Sequence, residues 1–517
     1  MPHGMQRGRI AAVAARLAAA LALVSGCDAA DPPSHPSDRE ARVRAACSAC
    51  HAFTPPEILP REMWRAQVER MAGQARYLPE SLGGPAVDFD VKEVTEWFES
   101  RAPEALPPRR VLTRDGPSPL RFERRRVLLG PGSGPGVATV AALASELVTG
   151  PGPFLSAPNM ITGRLHLFSL RRGPQLVGEA GHPVRALGAD LDADGLEDLL
   201  ISDLGHPMPT DDLVGRVLAA RNRGDGTFSI ETLLEGVGRV ADARAADLDA
   251  DGDLDVVVAA FGFLRSGGIH LLVNEGGPGA ALRFRAERVS DRPGAVSVIP
   301  VEGLRAGSGP GFVVAFAQHY EWVAHFRRAE SGYREEVLYR APHPNWGTSN
   351  LEAVDLEGDG DLDFLLSHGD TLDDGLAFKP YHGVEWLENT GDGDLRARPI
   401  GPLYGAHRAE AADLDGDGDL DVVASAFLPQ VELPVPQGAL RVDSLVWFER
   451  RGDEWIPWSI EADHPRHTGM TVADVDADGR PDVVAAINSA WDAEPGATGP
   501  ALEVWLNRGP PELDTPP

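Results

Sequence analysis

The sequence predicts a mainly β protein in which a seven-bladed β-propeller follows a small all-α domain. An Asp-rich loop of nine residues occurs five times, beginning at Asp190, Asp247, Asp355, Asp413 and Asp474. The starts are 57, 108, 58 and 61 residues apart, so one degraded copy fits in the long interval. Each period also holds four short apolar or β-branched runs. Four short strands repeated at this period are typical of propeller blades.

Two weaker copies complete the count of seven blades. "GSGPGFVVAF" at 307–316 occupies the long interval, and "GVATVAALASELVTG" from Gly136 lies one period before the first clear loop. The last copy ends at its third strand, "ALEVWLNRG", whereas "RFERRRVLL" at 121–129 precedes the first copy. We expect 121–129 to supply the missing fourth strand and to close a propeller over 121–510, which removes the open sheet edge.

A small helical domain is predicted at residues 37–104. Capping-box spacings begin at Ser37 and Asp90, and an apolar stripe "W-x-x-x-V-x-x-M" occupies 64–71. Three helices of this size enclose little core, and such domains usually need a covalent or metal staple. The Pro-rich residues 105–120 are interpreted as the linker to the propeller.

The N-terminus predicts export. Basic residues precede the apolar run "LAAALALVSGC", which is too short to span a membrane as a helix. This segment resembles the signal of bacterial lipoproteins, and the resemblance implies a signal peptide at 1–26, a diacylglycerol on Cys27 and a tether at 27–36. We therefore expect an exported lipoprotein that is anchored to a membrane and faces the periplasm or the cell exterior. An ordinary secretory signal with a chance cysteine is the alternative.

The pentapeptide "CSACH" at 47–51 predicts covalent haem. In C-x-x-C-H both thiols can bond to the haem vinyl groups while the adjacent histidine reaches the iron. Residues 37–104 therefore resemble a class I c-type cytochrome. The resemblance implies one haem c attached at Cys47 and Cys50, with His51 as axial ligand and Met71 as the sixth ligand. Met63 competes with Met71 for that role, and core packing is the purely structural alternative for Met71. A redox dithiol is disfavoured because no βαβ pattern surrounds the pair.

The Asp loops predict bound calcium. Their D-x-D-x-D-G-x-x-D pattern places oxygens at alternate positions of a turn, which suits a hard cation. The loops resemble the FG-GAP or VCBS repeats of integrin-α-like propellers. That resemblance implies up to five Ca²⁺ ions, held by carboxylates at positions one, three, five and nine. Without a cation these carboxylates would repel one another, so solvated turns are the weaker interpretation. The implied ligands are Asp190, Asp192, Asp194, Asp198, Asp247, Asp249, Asp251, Asp255, Asp355, Glu357, Asp359, Asp363, Asp413, Asp415, Asp417, Asp421, Asp474, Asp476, Asp478 and Asp482.

Histidines recur where the chain enters the first strand of a blade. If that strand is innermost, we expect them to gather at the channel mouth, on the face opposite the Asp loops. Metal binding, proton chemistry and haem docking are possible uses, and ordinary polar turns are the plain alternative. The residues concerned are His182, His343, His407, His464 and His467, joined by His368, Asp370 and His382 from two long connections.

The net charge and the sequence motifs limit the possible functions. The net charge of −30, from 78 acidic and 48 basic residues, argues against a nucleic-acid partner. We expect a monomeric, lipid-anchored haem c electron-transfer protein that exchanges electrons with a redox protein or small donor, with the propeller as docking scaffold. One alternative is an oxidoreductase whose propeller face passes electrons to the attached haem, and another is a cell-surface binding or adhesion protein. No nucleotide loop, G-x-S-x-G turn or zincin motif occurs in the propeller, which favours a non-enzymatic electron-transfer or binding protein over an enzyme.

Overall fold

The computed structural model describes most of the chain between residues 38 and 511. The described ranges are 38–49, 51–75, 87–116, 118–143, 153–304, 309–372, 375–391, 394–489 and 498–511. The predicted signal peptide, the tether, Cys27 and Cys50 lie outside them. The chain divides into two compact units, Met1–Ala45 and Ala46–Pro517.

Three short helices lie ahead of the propeller in the described chain. They are α1 (Asp38–Cys47), α2 (Trp64–Gln74) and α3 (Val91–Glu99). As the spacing predicts, the Asp90 side chain caps α3 by accepting hydrogen bonds from the backbone N–H groups of Lys92 and Glu93, at 2.9 and 3.1 Å. None of the described helices is both long enough and apolar enough to cross a bilayer.

Aromatic rings form the core between α2 and α3. Trp64 stacks on Phe98 with ring centroids 4.0 Å apart, and both side chains are fully buried. The Trp64 indole N–H donates to the Pro56 carbonyl at 3.0 Å, which satisfies its polar atom inside the core. Val68 is fully buried on the same face of α2, so the predicted apolar stripe packs as expected.

The propeller consists of seven antiparallel sheets of four strands each, which confirms the predicted blade count. The first six blades are β2–β5, β6–β9, β10–β13, β14–β17, β18–β21 and β22–β25, and the seventh joins β26–β28 to β1. The strands are β1 (Phe122–Val127), β2 (Ala141–Leu143), β3 (Phe154–Pro158), β4 (Arg164–Ser169), β5 (Gly173–Glu179), β6 (Pro183–Ala189), β7 (Asp198–Asp203), β8 (Gly215–Asn222), β9 (Phe228–Val237), β10 (Val240–Ala246), β11 (Asp255–Ala260), β12 (Gly268–Asn274), β13 (Phe284–Ser290), β14 (Ala295–Val301), β15 (Gly311–Phe316), β16 (Trp322–Arg328), β17 (Tyr333–Arg340), β18 (Thr348–Val354), β19 (Asp363–His368), β20 (Gly383–Asn389), β21 (Leu395–Pro402), β22 (Ala406–Ala412), β23 (Asp421–Ala426), β24 (Asp443–Arg451), β25 (Glu454–Ala462), β26 (Met470–Ala473), β27 (Asp482–Ala486) and β28 (Leu502–Asn507).

The first strand of each blade lies innermost. These seven strands contact one another in order around the ring, from β2 through β26 and back to β2. The second strands are buried along their whole length, as in "DVVVAA" of β11, because neighbouring blades cover both faces. Each Asp loop joins a first strand to a second strand. The Asp loops therefore share one face, and the connections from second to third strands and between blades lie on the other.

Strand β1 closes the ring as predicted. It pairs antiparallel with β28, from Phe122 opposite Asn507 to Val127 opposite Leu502. The chain just before β1 lies against the sixth blade, where the Thr113 hydroxyl donates to an Asp443 carboxylate oxygen at 3.0 Å. The last blade therefore takes strands from both ends of the propeller sequence, and β1 covers the edge that β28 would otherwise leave open.

Candidate functional site

His51 has the tautomer of a metal ligand. Its Nδ1 lies 2.7 Å from the Ala52 carbonyl oxygen, which can only accept, so Nδ1 carries the proton and Nε2 keeps its lone pair. Burial lowers the pKa of His51, which favours this neutral form. Cys47 is buried at the end of α1, and the second cysteine of the motif lies outside the described residues.

Met71 shares its surroundings with His51. Both residues, together with Gln74, line two cavities of about 30 and 170 Å³. Cys47 and Phe89 line the smaller one. Met63 is not among the residues that line either cavity. A thiol, a thioether and an imidazole with a free Nε2 around one space are a donor set that fits a c-type haem.

The propeller forms the other wall of the larger cavity. Phe263 and Leu264, from the β11–β12 connection, and His319, from the β15–β16 connection, lie there with Asn345. These connections belong to the face opposite the Asp loops. The segment that carries His51 therefore lies on the propeller face where sequence reasoning placed the histidines.

His319 is a site residue that sequence reasoning missed. It is 8 % exposed, and its Nε2 has no hydrogen-bond partner. Burial, with a smaller contribution from the charge of His51, lowers the pKa of His319 to about 4, so the ring is neutral at pH 7. Its position in a connection between second and third strands is the one signal that could have found it, because His368 was noticed for that reason.

Each Asp loop wraps around its first carboxylate. In all five loops the Oδ2 atom of that Asp accepts a hydrogen bond from the backbone N–H of the glycine at position six, at 2.9–3.1 Å. The five glycines have φ between 86° and 99°, a conformation that other residues rarely adopt. Glycine at this position therefore sets the loop shape that the sequence pattern predicts.

The carboxylates at positions one, three and five converge. In the loops beginning at Asp190, Asp247 and Asp413, one oxygen from each of these three residues lies within 4.8 Å of the others. In the loop beginning at Asp355 the group is Asp355, Glu357 and Asp363. Burial and the adjacent Asp363 raise the pKa of Glu357 to about 8, because the two carboxyl groups are in contact.

The Asp at position nine also has a structural role. Its Oδ1 accepts from a backbone N–H at the end of the third strand at 2.7–2.9 Å in every loop. Burial raises the pKa of Asp198 and Asp482 to about 6 and that of Asp421 to about 7. These carboxylates tie the loop to the blade, and their predicted part in binding calcium stays a prediction.

Two of the five Asp loops have an arginine paired with their carboxylates. Arg221 pairs with Asp192, and Arg508 pairs with Asp476 at 2.7 Å and with Asp478 at 3.3 Å. Among the ion pairs of the described residues, none involves the loops beginning at Asp247, Asp355 and Asp413. Buried carboxylate oxygens without a hydrogen-bond partner occur in loops of both kinds, for example Oδ1 of Asp249 and of Asp419, and Oδ1 of Asp192 and of Asp476. Because no arginine competes for their carboxylates, the loops beginning at Asp247, Asp355 and Asp413 fit a bound cation best.

The expectation of a single histidine cluster at the channel mouth is wrong. His407 and Asp370 line a cavity of about 270 Å³ at the mouth. His343, His368 and His382 instead pack with Trp346 and Tyr381 in the fifth blade.

The remaining histidines lie elsewhere on the same face. His182 donates from Nδ1 to the Met160 carbonyl at 2.6 Å, and His464 lies beside His467 with ring centroids 5.5 Å apart. The connections between blades differ in length and path, so they carry their histidines to different distances from the axis.

The comparisons with known proteins bear on the propeller. A model of the FG-GAP-like repeat matches residues 177–258 and 368–424. The matched segments include the loops beginning at Asp190, Asp247 and Asp413. The chain therefore contains FG-GAP-like repeats within a seven-bladed propeller, an architecture that supports a binding or scaffold role. No curated protein matches the chain.

Three solved structures have a distant likeness to the chain. A crystal structure of BBS1N in complex with ARL6DN is 11 % identical, with a TM-score of 0.43, over 75 % of this chain and 97 % of that one. The rhamnogalacturonan lyase PL11 of Bacillus licheniformis is 15 % identical, with a TM-score of 0.35, over 73 % and 77 %. An ancestral GH74 enzyme is 10 % identical, with a TM-score of 0.44, over 73 % and 49 %. We draw no functional conclusion from likenesses at this level.

Proposed function

We propose that this chain is an exported, lipid-anchored haem c electron-transfer protein whose calcium-binding propeller serves as a docking scaffold. One observation carries the proposal: the free Nε2 of His51 shares a cavity with Met71, beside the buried Cys47 of the C-x-x-C-H motif. The bound haem would supply one-electron transfer. Its partner would be a redox protein or a small electron donor.

The chain's own residues would set the properties of the haem site. Cys47 and Cys50 would hold the group covalently, and His51 and Met71 would be its axial ligands. The Ala52 carbonyl keeps the His51 ring oriented and its Nε2 deprotonated. Phe263 and Leu264 of the propeller would cover this side of the group, and the exclusion of water there would tune its potential.

Calcium would bind in the Asp loops, on the opposite face of the propeller. The crowded carboxylates of the loops beginning at Asp247, Asp355 and Asp413, and the buried oxygens without hydrogen-bond partners, support this part of the proposal. The loops beginning at Asp190 and Asp474 have arginines against their carboxylates, so we expect them to bind calcium more weakly. The lipid on Cys27 would attach the chain to a membrane.

The haem proposal is tested on the full chain, expressed in cells that attach haem to C-x-x-C-H motifs. We expect an intact mass with one haem increment and a pyridine haemochrome spectrum of the c type. The Cys50→Ala variant should change that spectrum, because one thioether is lost, whereas His206→Ala, at an exposed site of the second blade, should not. A mass without the haem increment would end the proposal.

The channel mouth favours the second candidate function, an oxidoreductase that passes electrons to the haem. Its cavity is lined by Arg239 and Asn350, which are 8 % and 6 % exposed. Nε of Arg239 and Nδ2 of Asn350 have no hydrogen-bond partner. Burial lowers the pKa of Arg239 to about 10, because no carboxylate compensates its charge. A small anionic substrate would provide that compensation.

Titration with small carboxylates distinguishes the two functions. If the mouth binds a substrate, one of them should raise the melting temperature and reduce the haem without another donor. Arg239→Gln should abolish both effects, whereas Arg396→Gln, at an exposed position of the fifth blade, should preserve them. Reduction that survives Arg239→Gln would exclude the mouth as the substrate site.

A further inference from the structure

Four side chains with metal-ligating atoms converge where the sixth blade meets the seventh. Glu461 is the penultimate residue of strand β25, His464 and His467 follow in the connection to β26, and Glu503 lies in β28. One ligand atom from each of the four lies within 4.8 Å of the others. Glu461, His467 and Glu503 are 4 %, 0 % and 1 % exposed, so this inter-blade cluster is nearly sealed from water.

The position of His467 is the first observation that favours a metal ion. Its Nδ1 lies 2.9 Å from the Ala486 carbonyl oxygen and donates to it. Its Nε2 lies 2.6 Å from Oε2 of Glu461, so a positive centre lies at Nε2, either a metal ion or the proton of an imidazolium paired with the carboxylate. Although burial lowers the pKa of His467, its hydrogen bond to Glu461 raises the pKa on balance, so a bound metal ion would displace this proton. A histidine held in this way by a backbone carbonyl is the usual arrangement for a metal ligand.

The cluster also contains polar atoms without hydrogen-bond partners. Oε2 of Glu503 and Nδ1 of His464 are buried and have no hydrogen bond. Leaving such atoms unpaired is costly, and for a carboxylate especially so. A cation between the four side chains would satisfy both of them at once.

Two arginines of β1 lie against the cluster. Nη2 of Arg124 lies 2.6 Å from Oε1 of Glu461 and also pairs with Oε1 of Glu503. Nε of Arg126 lies 3.3 Å from the same Glu503 oxygen. The guanidinium groups therefore pair with Oε1 atoms, and Oε2 of Glu503 has no hydrogen-bond partner. Held in this way, Arg124 orients both carboxylates as an outer-shell partner does around a metal.

We propose that Glu461, His464, His467 and Glu503 bind one divalent transition-metal ion of the Zn²⁺ class. Two imidazoles and two carboxylates suit Zn²⁺ better than Ca²⁺, which takes oxygen ligands. Four protein ligands make a closed site of the structural kind. The ion would tie the sixth blade to the blade that closes the ring. This site is independent of the haem and of the Asp loops.

The test uses the full chain with its haem attached, in saturating Ca²⁺ so that the Asp loops are filled. Zn²⁺ binding is measured by equilibrium dialysis, and the bound ion is examined by X-ray absorption at the zinc edge. We expect one Zn²⁺ per chain with nitrogen and oxygen neighbours at about 2.0–2.1 Å. Bound Zn²⁺ should also raise the melting temperature.

Variants separate this site from others. His464→Ala, at a partly exposed position, and Glu503→Gln should each lower Zn²⁺ affinity at least about tenfold, as loss of a ligand does. The exposed His206→Ala serves as the matched control and should bind as the parent protein does. Glu503→Gln is buried, so if it does not fold, His464→Ala decides the matter. Unchanged affinity in His464→Ala, an absorption spectrum without nitrogen neighbours, or sulfur neighbours at about 2.3 Å would overturn the proposal.

Discussion

Strand β1 should decide whether the propeller closes. It pairs with β28 over six residue pairs, and an antiparallel ladder of this length holds about six backbone hydrogen bonds at about 1 kcal/mol each. Val127 and Leu129 are 9 % and 2 % exposed, and burying each contributes about 2 kcal/mol. The sum of about 10 kcal/mol is as large as the whole stability of many domains, about 5–15 kcal/mol.

Truncation and point substitution both test this magnitude. A chain beginning at residue 106 should fold as a monomer, whereas one beginning at 131 should aggregate or pair through its free β28 edge. In the full chain, Val127→Asp buries a charge, and we expect it to cost at least about 3 kcal/mol. The adjacent Leu128 is 64 % exposed, so Leu128→Asp is the matched control and should change stability by less than about 0.5 kcal/mol.

Light scattering after size-exclusion chromatography and thermal unfolding give the readouts. Equal melting temperatures and monomeric behaviour for the chains beginning at 106 and 131 would refute the reasoning. So would equal effects of the two Asp substitutions, since the expected cost of Val127→Asp comes from burial against β28 and not from charge alone.

Three further predictions concern the sites. Met71→Ala should remove the weak sulfur-to-iron absorption of the oxidised protein and Met63→Ala should not; retention of the band in Met71→Ala would exclude Met71 as the ligand. Removing calcium with a chelator should lower the melting temperature, because each loop loses about 2.7 kcal/mol of stabilisation if calcium was present at about a hundred times its Kd. Asp249→Asn should remove the stabilisation contributed by one loop. An unchanged melting temperature would exclude calcium. Burial, with a smaller contribution from a neighbouring histidine, lowers the pKa of His368 to about 3. The unfolded chain therefore binds a proton at this histidine below about pH 6.5 while the folded chain does not, and His368 alone lowers the stability by about 2.5 kcal/mol between pH 7 and 4.5. Denaturant titrations should show a shallower loss in His368→Asn, and an equal loss would refute the assignment.

Much of the fold could be read from local patterns. The D-x-D-x-D-G-x-x-D loops mark the turn between the first two strands, because only glycine at position six permits the observed φ of 86–99°. Their spacing predicts seven blades even where the loop has decayed, as at 307–316, because each blade must still supply four strands to keep the ring closed. The missing fourth strand after "ALEVWLNRG" likewise predicted the pairing of 121–129 with β28.

The sites were predictable only where their residues are neighbours in sequence. "CSACH" and the Asp loops carry their donors within one or two turns, so spacing alone indicates their chemistry. The partners that modify them come from elsewhere. Arg221 reaches Asp192 from the third strand of the blade, and Arg508 reaches Asp476 from beyond the last strand.

The sequence by itself determined the blade number, the closing strand and the donors that lie within a single loop, because short-range backbone geometry requires particular residues there. Only the tertiary structure decided which distant residues meet. His319 faces the cavity of His51, and Glu503 meets Glu461 across a junction between two blades. Such meetings depend on how blades pack around the axis and on how far each connection extends from it. The spacing of residues in the sequence does not indicate how far a connection extends from the axis, since connections of different lengths can reach the same position.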